Sequence, residues 1–213
     1  VNDKIKIVLL NGPPGCGKDT IAMGLLRDET FRSRYAVHLT RFSSPLKSAL
    51  ASFFSVPIDE FGNTKMEERK NEPALWNGVS YREAQIKLSE LYAKPLFGLD
   101  IFGRLLIERI YNGYARAVKN EVITQDDVLV VLVPDSGFVV EAEPVVAEFG
   151  ARNVALFNIY REGHSFASDS RSYLSLDHLG VNRVRLINDG TIEDFLTVAR
   201  KEVMKWLSTA RRS

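Results

Sequence analysis

Near the amino end the run Gly12-Pro13-Pro14-Gly15-Cys16-Gly17-Lys18-Asp19-Thr20 has the residue types and spacing needed to hold a polyphosphate. Its glycines allow backbone conformations closed to other residues, so that successive N–H groups can point inward at anionic oxygens. Lys18 supplies a mobile cation for the outer phosphates, and the amino end of a following helix adds partial positive charge. The run fits the phosphate-binding (P-loop, Walker A) signature Gly-x4-Gly-Lys-Ser/Thr at every position but one. The exception is Asp19, which stands where a hydroxyl normally meets magnesium; the hydroxyl comes one residue later, at Thr20. Either Thr20 reaches the metal shell, or Asp19 contributes a carboxylate near it, directly or through water. The implied ligands are ATP and Mg2+.

Other chemistry-bearing residues lie farther along. Val128–Val133 reads as a buried strand ending in Pro134-Asp135, and Asp135 is a candidate to bind the metal through water or to accept a proton from an acceptor hydroxyl. Glu141, six residues on, reads as part of a solvated helix face. Arg161 and Arg171 bracket a polar, glycine-containing loop, the pattern of a lid that closes over phosphates and neutralises transition-state charge. Arg41, Phe42 and Lys47 follow the second strand, where Phe42 could stack on a base and the cations could meet an acceptor phosphate. Trp76, Tyr81 and Phe102 are further candidates for a base pocket. His38, His164 and His178 lack the spacing of a metal site.

These residues need a scaffold that gathers them. Apolar runs at 4–10, 36–40, 128–133, 154–160 and 183–187 alternate with helical periodicity at 18–27, 44–53, 80–93, 100–117, 139–148 and 191–207. This is the βα alternation of a parallel sheet covered on both faces, whose ligands gather at the carboxyl ends of the strands. Ser80-Tyr-Arg-Glu83 reads as a capping box, and Thr191 with Asp194 marks the start of the last helix. Residues 54–79 are polar, carry Pro57, Gly62, Pro73 and Gly78, and read as an insertion over the substrate site, with Lys65, Arg69 and Lys70 as possible backbone contacts for DNA.

Composition sets the bounds. A chain of 213 residues with 45% hydrophobic content can bury one good core, which predicts a single domain spanning 1–213. A net charge of +1 makes no global electrostatic case for nucleic acid, though a local groove is compatible with it. The one cysteine, Cys16, excludes an internal disulfide and fits a reducing cytoplasm, where it reads as a space-filler within the loop. No apolar run approaches the roughly 20 residues of a membrane span, so no membrane partner is expected.

The chain resembles the tailed-phage deoxynucleoside monophosphate kinases. The resemblance rests on Gly17-Lys18-Asp19-Thr20, Phe42-Ser-Ser-Pro45-Leu46-Lys47, Ser80-Tyr-Arg82-Glu83-Ala84-Gln85, Pro134-Asp135 with Glu141-Ala142-Glu143, and Asn188-Asp189-Gly190-Thr191. It implies a three-layer α/β P-loop kinase fold with a parallel sheet, an inserted helical acceptor region over about 54–99 and a lid-like loop over about 161–173. Together with the residue-level reading it gives Lys18, Asp19, Asp135, Arg161 and Arg171 as the expected catalytic residues, and Arg41, Phe42, Lys47 and Arg82 as those expected to meet the acceptor. Two segments depart from it. That family usually reads Pro-Asp-x-Arg-Phe after the buried strand, where this chain has Pro134-Asp135-Ser136-Gly137-Phe138, and a His-x-Ser-Glu segment is replaced by Asp169-Ser170-Arg171-Ser172-Tyr173. Both versions are more similar to the phage 5-hydroxymethyluracil DNA kinases. The first expectation is therefore phosphorylation of the hydroxymethyl group of 5-hydroxymethyluracil in DNA, within an infected host's cytoplasm. The alternative is a kinase making deoxynucleoside diphosphates from monophosphates, and a further one is a noncatalytic ATP-binding switch module.

Overall fold

The computed structural model describes residues 2–55, 71, 76–167, 169 and 171–210. A short 3-10 turn, Asn2–Lys4, leads into strand β1 (Ile5–Asn11), which enters the glycine-rich loop and then helix α1 (Lys18–Arg27). After a one-turn helix α2 (Glu29–Arg32) come β2 (Ala36–Leu39) and α3 (Ser44–Phe53). The next described helical stretch comprises α4 (Tyr81–Lys87), a π-helical turn (Leu88–Ala93) and a short α5 (Lys94–Phe97). Helix α6 (Ile101–Lys119), β3 (Leu129–Val133), α7 (Val139–Phe149), β4 (Val154–Tyr160), β5 (Asn182–Ile187) and α8 (Ile192–Ala210) complete the chain.

Among the described residues the strands form one sheet of order β2-β3-β1-β4-β5 with every neighbouring pair parallel. Side chains of a strand alternate between faces, and the core splits accordingly. Ile5, Ile7, Leu9, Val131 and Val133 pack with Phe102, Leu106 and Ile110 of α6 and Val145 and Phe149 of α7. Val8, Leu10, Val130 and Leu132 pack with Ile21 and Leu25 of α1 and Phe195, Ala199, Val203 and Trp206 of α8. The result is the three-layer α/β P-loop architecture, with the loop strand at the centre of the sheet.

Local chemistry explains the helix starts. Ser80 Oγ accepts from the Glu83 N–H at 3.1 Å, and Thr191 and Asp194 cap one another, the Asp194 N–H reaching Thr191 Oγ1 at 3.2 Å. Helix α6 approaches α7 backbone to backbone at Gly103, where a Cβ would collide with the Glu141 carbonyl. The segment expected as an insertion falls largely on residues 56–70 and 72–75, and Lys65, Arg69 and Lys70 with it, outside the described residues; so does the Trp76 side chain. No helix among the described residues is long and apolar enough to cross a membrane.

Candidate phosphoryl-transfer site

The glycine-rich loop joins the central strand to α1. Gly15 (φ +75°) and Gly17 (φ +109°) lie in the left-handed region that side chains avoid. Side chains hold the loop's carbonyls. Lys18 Nζ donates to Gly12 O at 2.6 Å and to Pro13 O at 2.8 Å, Arg161 Nη1 to Gly15 O at 2.9 Å, and Asn188 Nδ2 to Cys16 O at 2.9 Å. The first amides of α1 have no carbonyl to meet within the helix. With four carbonyls bonded by side chains and those amides without intrahelical partners, the loop suits an anion of several oxygens. Cys16 is fully buried, and burial raises its thiol above the usual range, in keeping with a space-filling role.

Lys18 is itself buried, and desolvation lowers its ammonium below the ordinary lysine value. Asp19 projects into solvent and pairs with Arg41 Nη2 at 2.5 Å. Thr20 and Asp19 stand in the first turn of α1, where a hydroxyl and a carboxylate fit the hard oxygen shell of magnesium beside a bound triphosphate. Among the described residues no cluster of His, Cys, Asp or Glu forms a metal cage of its own.

The loop opens onto a cavity of about 720 Å³ at the carboxyl ends of β1, β2 and β3. Gly15, Lys18 and Asp19 line one part, and Phe42, Leu46, Tyr81, Phe102 and Phe138 line an apolar part. Arg41, Lys47, Arg82 and Arg171 also face it, so the acceptor-region candidates and one lid arginine share one space with the phosphate loop. Arg161 does not line this cavity; it bonds the loop at Gly15 O. His164 also covers Gly15, its ring edge standing where a Cβ would be.

Asp135 occupies the end of β3, as its motif requires, and both its oxygens are engaged. They accept from the Phe42 N–H at 3.0 Å and the Ser43 N–H at 2.9 Å, which ties the exit of β2 and the start of α3 to the neighbouring strand. Asp169 is held by Arg171, whose Nε donates to Oδ1 at 2.8 Å, and lies 3.7 Å from Arg82 Nη2. These contacts drop its carboxyl to about 2, the Arg171 hydrogen bond being the largest cause. One carboxylate thereby links Arg171 to Arg82 of α4.

One feature corrects the sequence reading. Glu141 does not lie on a solvated helix face; it is 5% exposed and lines the cavity. Its neighbours Val145 and Phe149, four and eight residues on, are buried core residues, so it occupies the inward stripe of α7. A carboxylate in register with an apolar stripe was the available signal. Burial, with the Asp135 charge adding, pushes its carboxyl up to about 7 against the opposing pull of Lys94, whose Nζ lies 3.7 Å away. Lys94, also missed, bonds Glu90 at 2.7 Å and stands 4.7 Å from the centre of the Phe138 ring. At Gly137, where the resembled family has an arginine, the Arg171 stem lies so close that a Cβ would collide with its Cδ. Arg171 thus fills the space beside position 137.

Comparison with known proteins adds a partial relative. Guanylate kinase of Schizosaccharomyces pombe (strain 972 / ATCC 24843) is 29% identical over 109 residues, 49% of this chain and 54% of that protein. The chain thus aligns with about half the length of this curated relative. No family model matches the chain. A solved unliganded sugar kinase from Janibacter sp. HTCC2649 is 12% identical with a TM-score of 0.42, over 96% of this chain and 95% of that one. The fold assignment rests on the strand order and the loop geometry themselves.

Proposed function

We propose that this protein is a P-loop kinase that transfers the terminal phosphoryl group of ATP, with magnesium, to a deoxynucleotide-type acceptor. The observation that carries this reading is the shared space: the phosphate loop, with Lys18 at its edge, opens directly onto a cavity of about 720 Å³ lined by both aromatic and cationic side chains. That is room for one nucleotide beside the donor. The loop amides and Lys18 hold the triphosphate, Thr20 and Asp19 hold the metal, and Arg161 and Arg171 neutralise charge from the lid side. Bound magnesium supplies charge neutralisation across the outer phosphates. Phe42, Tyr81 and Phe102 give the acceptor base an apolar seat, while Arg41, Lys47 and Arg82 suit its phosphate.

For the acceptor, the proposal is the hydroxymethyl group of 5-hydroxymethyluracil in DNA, supported by the Asp135-Ser136-Gly137-Phe138 and Asp169-Ser170-Arg171-Ser172-Tyr173 motif versions. A base in duplex DNA would have to be extruded or presented on an unpaired strand to enter such a cavity. A free deoxynucleoside monophosphate is the second reading, favoured by the partial match to guanylate kinase and by Arg171 beside Gly137. Incubation with γ-labelled ATP and, in parallel, hydroxymethyluracil-containing DNA and the mixed deoxynucleoside monophosphates decides between them. Label in DNA is expected, label in nucleotides selects the second reading, and label in neither overturns the kinase assignment.

A further inference from the structure

We propose that Glu141 is the proton acceptor for the acceptor's hydroxyl during phosphoryl transfer. This inference rests on the reading of the site as a kinase acting on an alcohol. Five carboxylates line the cavity: Asp19, Glu90, Asp135, Glu141 and Asp169. Asp19 is paired with Arg41, Glu90 bonds Lys94 and Ser89, Asp135 is taken up by two backbone amides, and Asp169 is gripped by Arg171. Among these, Glu141 alone lacks a close hydrogen bond, its nearest cation standing at 3.7 Å. A base must offer a lone pair to the proton it removes. Glu141 is the cavity carboxylate whose oxygens make no close hydrogen bond to another described residue, and it is buried.

The groups that face it set when it is charged. Lys94 from α5 favours the carboxylate, while Glu90 of the π-helical turn and Asp135 at the end of β3 disfavour it. From α6, Gly103 presents only backbone. Burial dominates, and a carboxyl raised to about 7 is matched to accepting a proton near neutral pH. In the step itself the acceptor O–H bond breaks and its proton passes to Glu141. The oxygen forms a bond to the γ-phosphorus, and the bond from that phosphorus to the β,γ-bridging oxygen breaks, its electron pair leaving on ADP. The proton then returns to solvent. A monophosphate acceptor, already ionised, needs no such group.

The test measures turnover of hydroxymethyluracil DNA by the full chain across pH 5.5–9. For the wild type, kcat/KM should rise and level off, with a midpoint of about 7. Glu141→Gln should lower kcat about 100-fold or more and flatten that limb, with MgATP affinity unchanged. Should Glu141→Gln fold poorly, Lys94→Met should instead move the midpoint upward, because the cation favouring the carboxylate is gone. Full turnover in Glu141→Gln, or a limb unmoved in Lys94→Met, would overturn the inference while leaving the kinase assignment intact. Wild-type label confined to monophosphates would also overturn it. Label in no acceptor would instead bring down the broader reading on which it rests.

Discussion

The Lys18 ammonium bonds the carbonyls of Gly12 and Pro13 within its own loop. A buried cation needs such partners to offset its lost hydration. Lys18→Ala removes that charge from a site of small backbone cost, so transfer should fall below detection while circular dichroism and cooperative melting persist. Glu141 makes the opposite contribution to stability. Its folded carboxyl sits at about 7 against an ordinary 4.5, so the folded state resists ionisation. Below about pH 4.5 it is protonated folded and unfolded; as pH rises through 7 the relative stabilisation is lost. Glu141→Gln should therefore melt at higher temperature than wild type at pH 8.5 and at the same temperature at pH 4. The shift corresponds to at most about 3 kcal/mol. Thermal unfolding at the two pH values checks this, and equal gains at both would contradict the assigned cause.

Between elements, the site depends on close backbone approaches. Helix α6 can carry Phe102 to the cavity, beside Glu141 of α7, because Gly103 lets the two backbones meet. Gly103→Ala forces them apart and should destabilise the fold by about 1–3 kcal/mol, read as a lower denaturant midpoint with lowered turnover. The elements themselves were largely legible. Alternating apolar runs located the strands, and the capping residues Ser80 and Thr191 located two helix starts. The π-helical turn at Leu88–Ala93 was not, because its widened hydrogen bonding leaves no signature in apolar spacing. In the site, the phosphate loop was legible because glycines at fixed intervals before a lysine are required by backbone geometry. The settings of Asp135 and Glu141 were not. Whether a carboxylate is bonded to amides or buried beside a lysine depends on β2, α5 and α6, which lie far from it in sequence.

For the whole molecule, the sheet brings segments from six regions to one end: the loop after β1, the exit of β2 with α3, α4 with its π turn and α5, the start of α6 at Phe102, the end of β3 with α7, and the segment around Asp169 and Arg171. A ligand bound there holds several layers together. Saturating MgATP should raise the melting temperature, with about 2.7 kcal/mol of stabilisation at one hundred times Kd, and should do so far less in Lys18→Ala. Equal stabilisation of the two proteins would place the nucleotide elsewhere. The central claim, that a triphosphate held by this loop gives its outer group to hydroxymethyluracil of DNA in the adjoining cavity, is most directly tested by phosphorus NMR of the protein with MgATP and hydroxymethyluracil DNA. The account predicts loss of the γ-phosphate signal, matched by equal growth of ADP and of a phosphomonoester on the polymer. An unchanged spectrum, or inorganic phosphate in place of the ester, would contradict it.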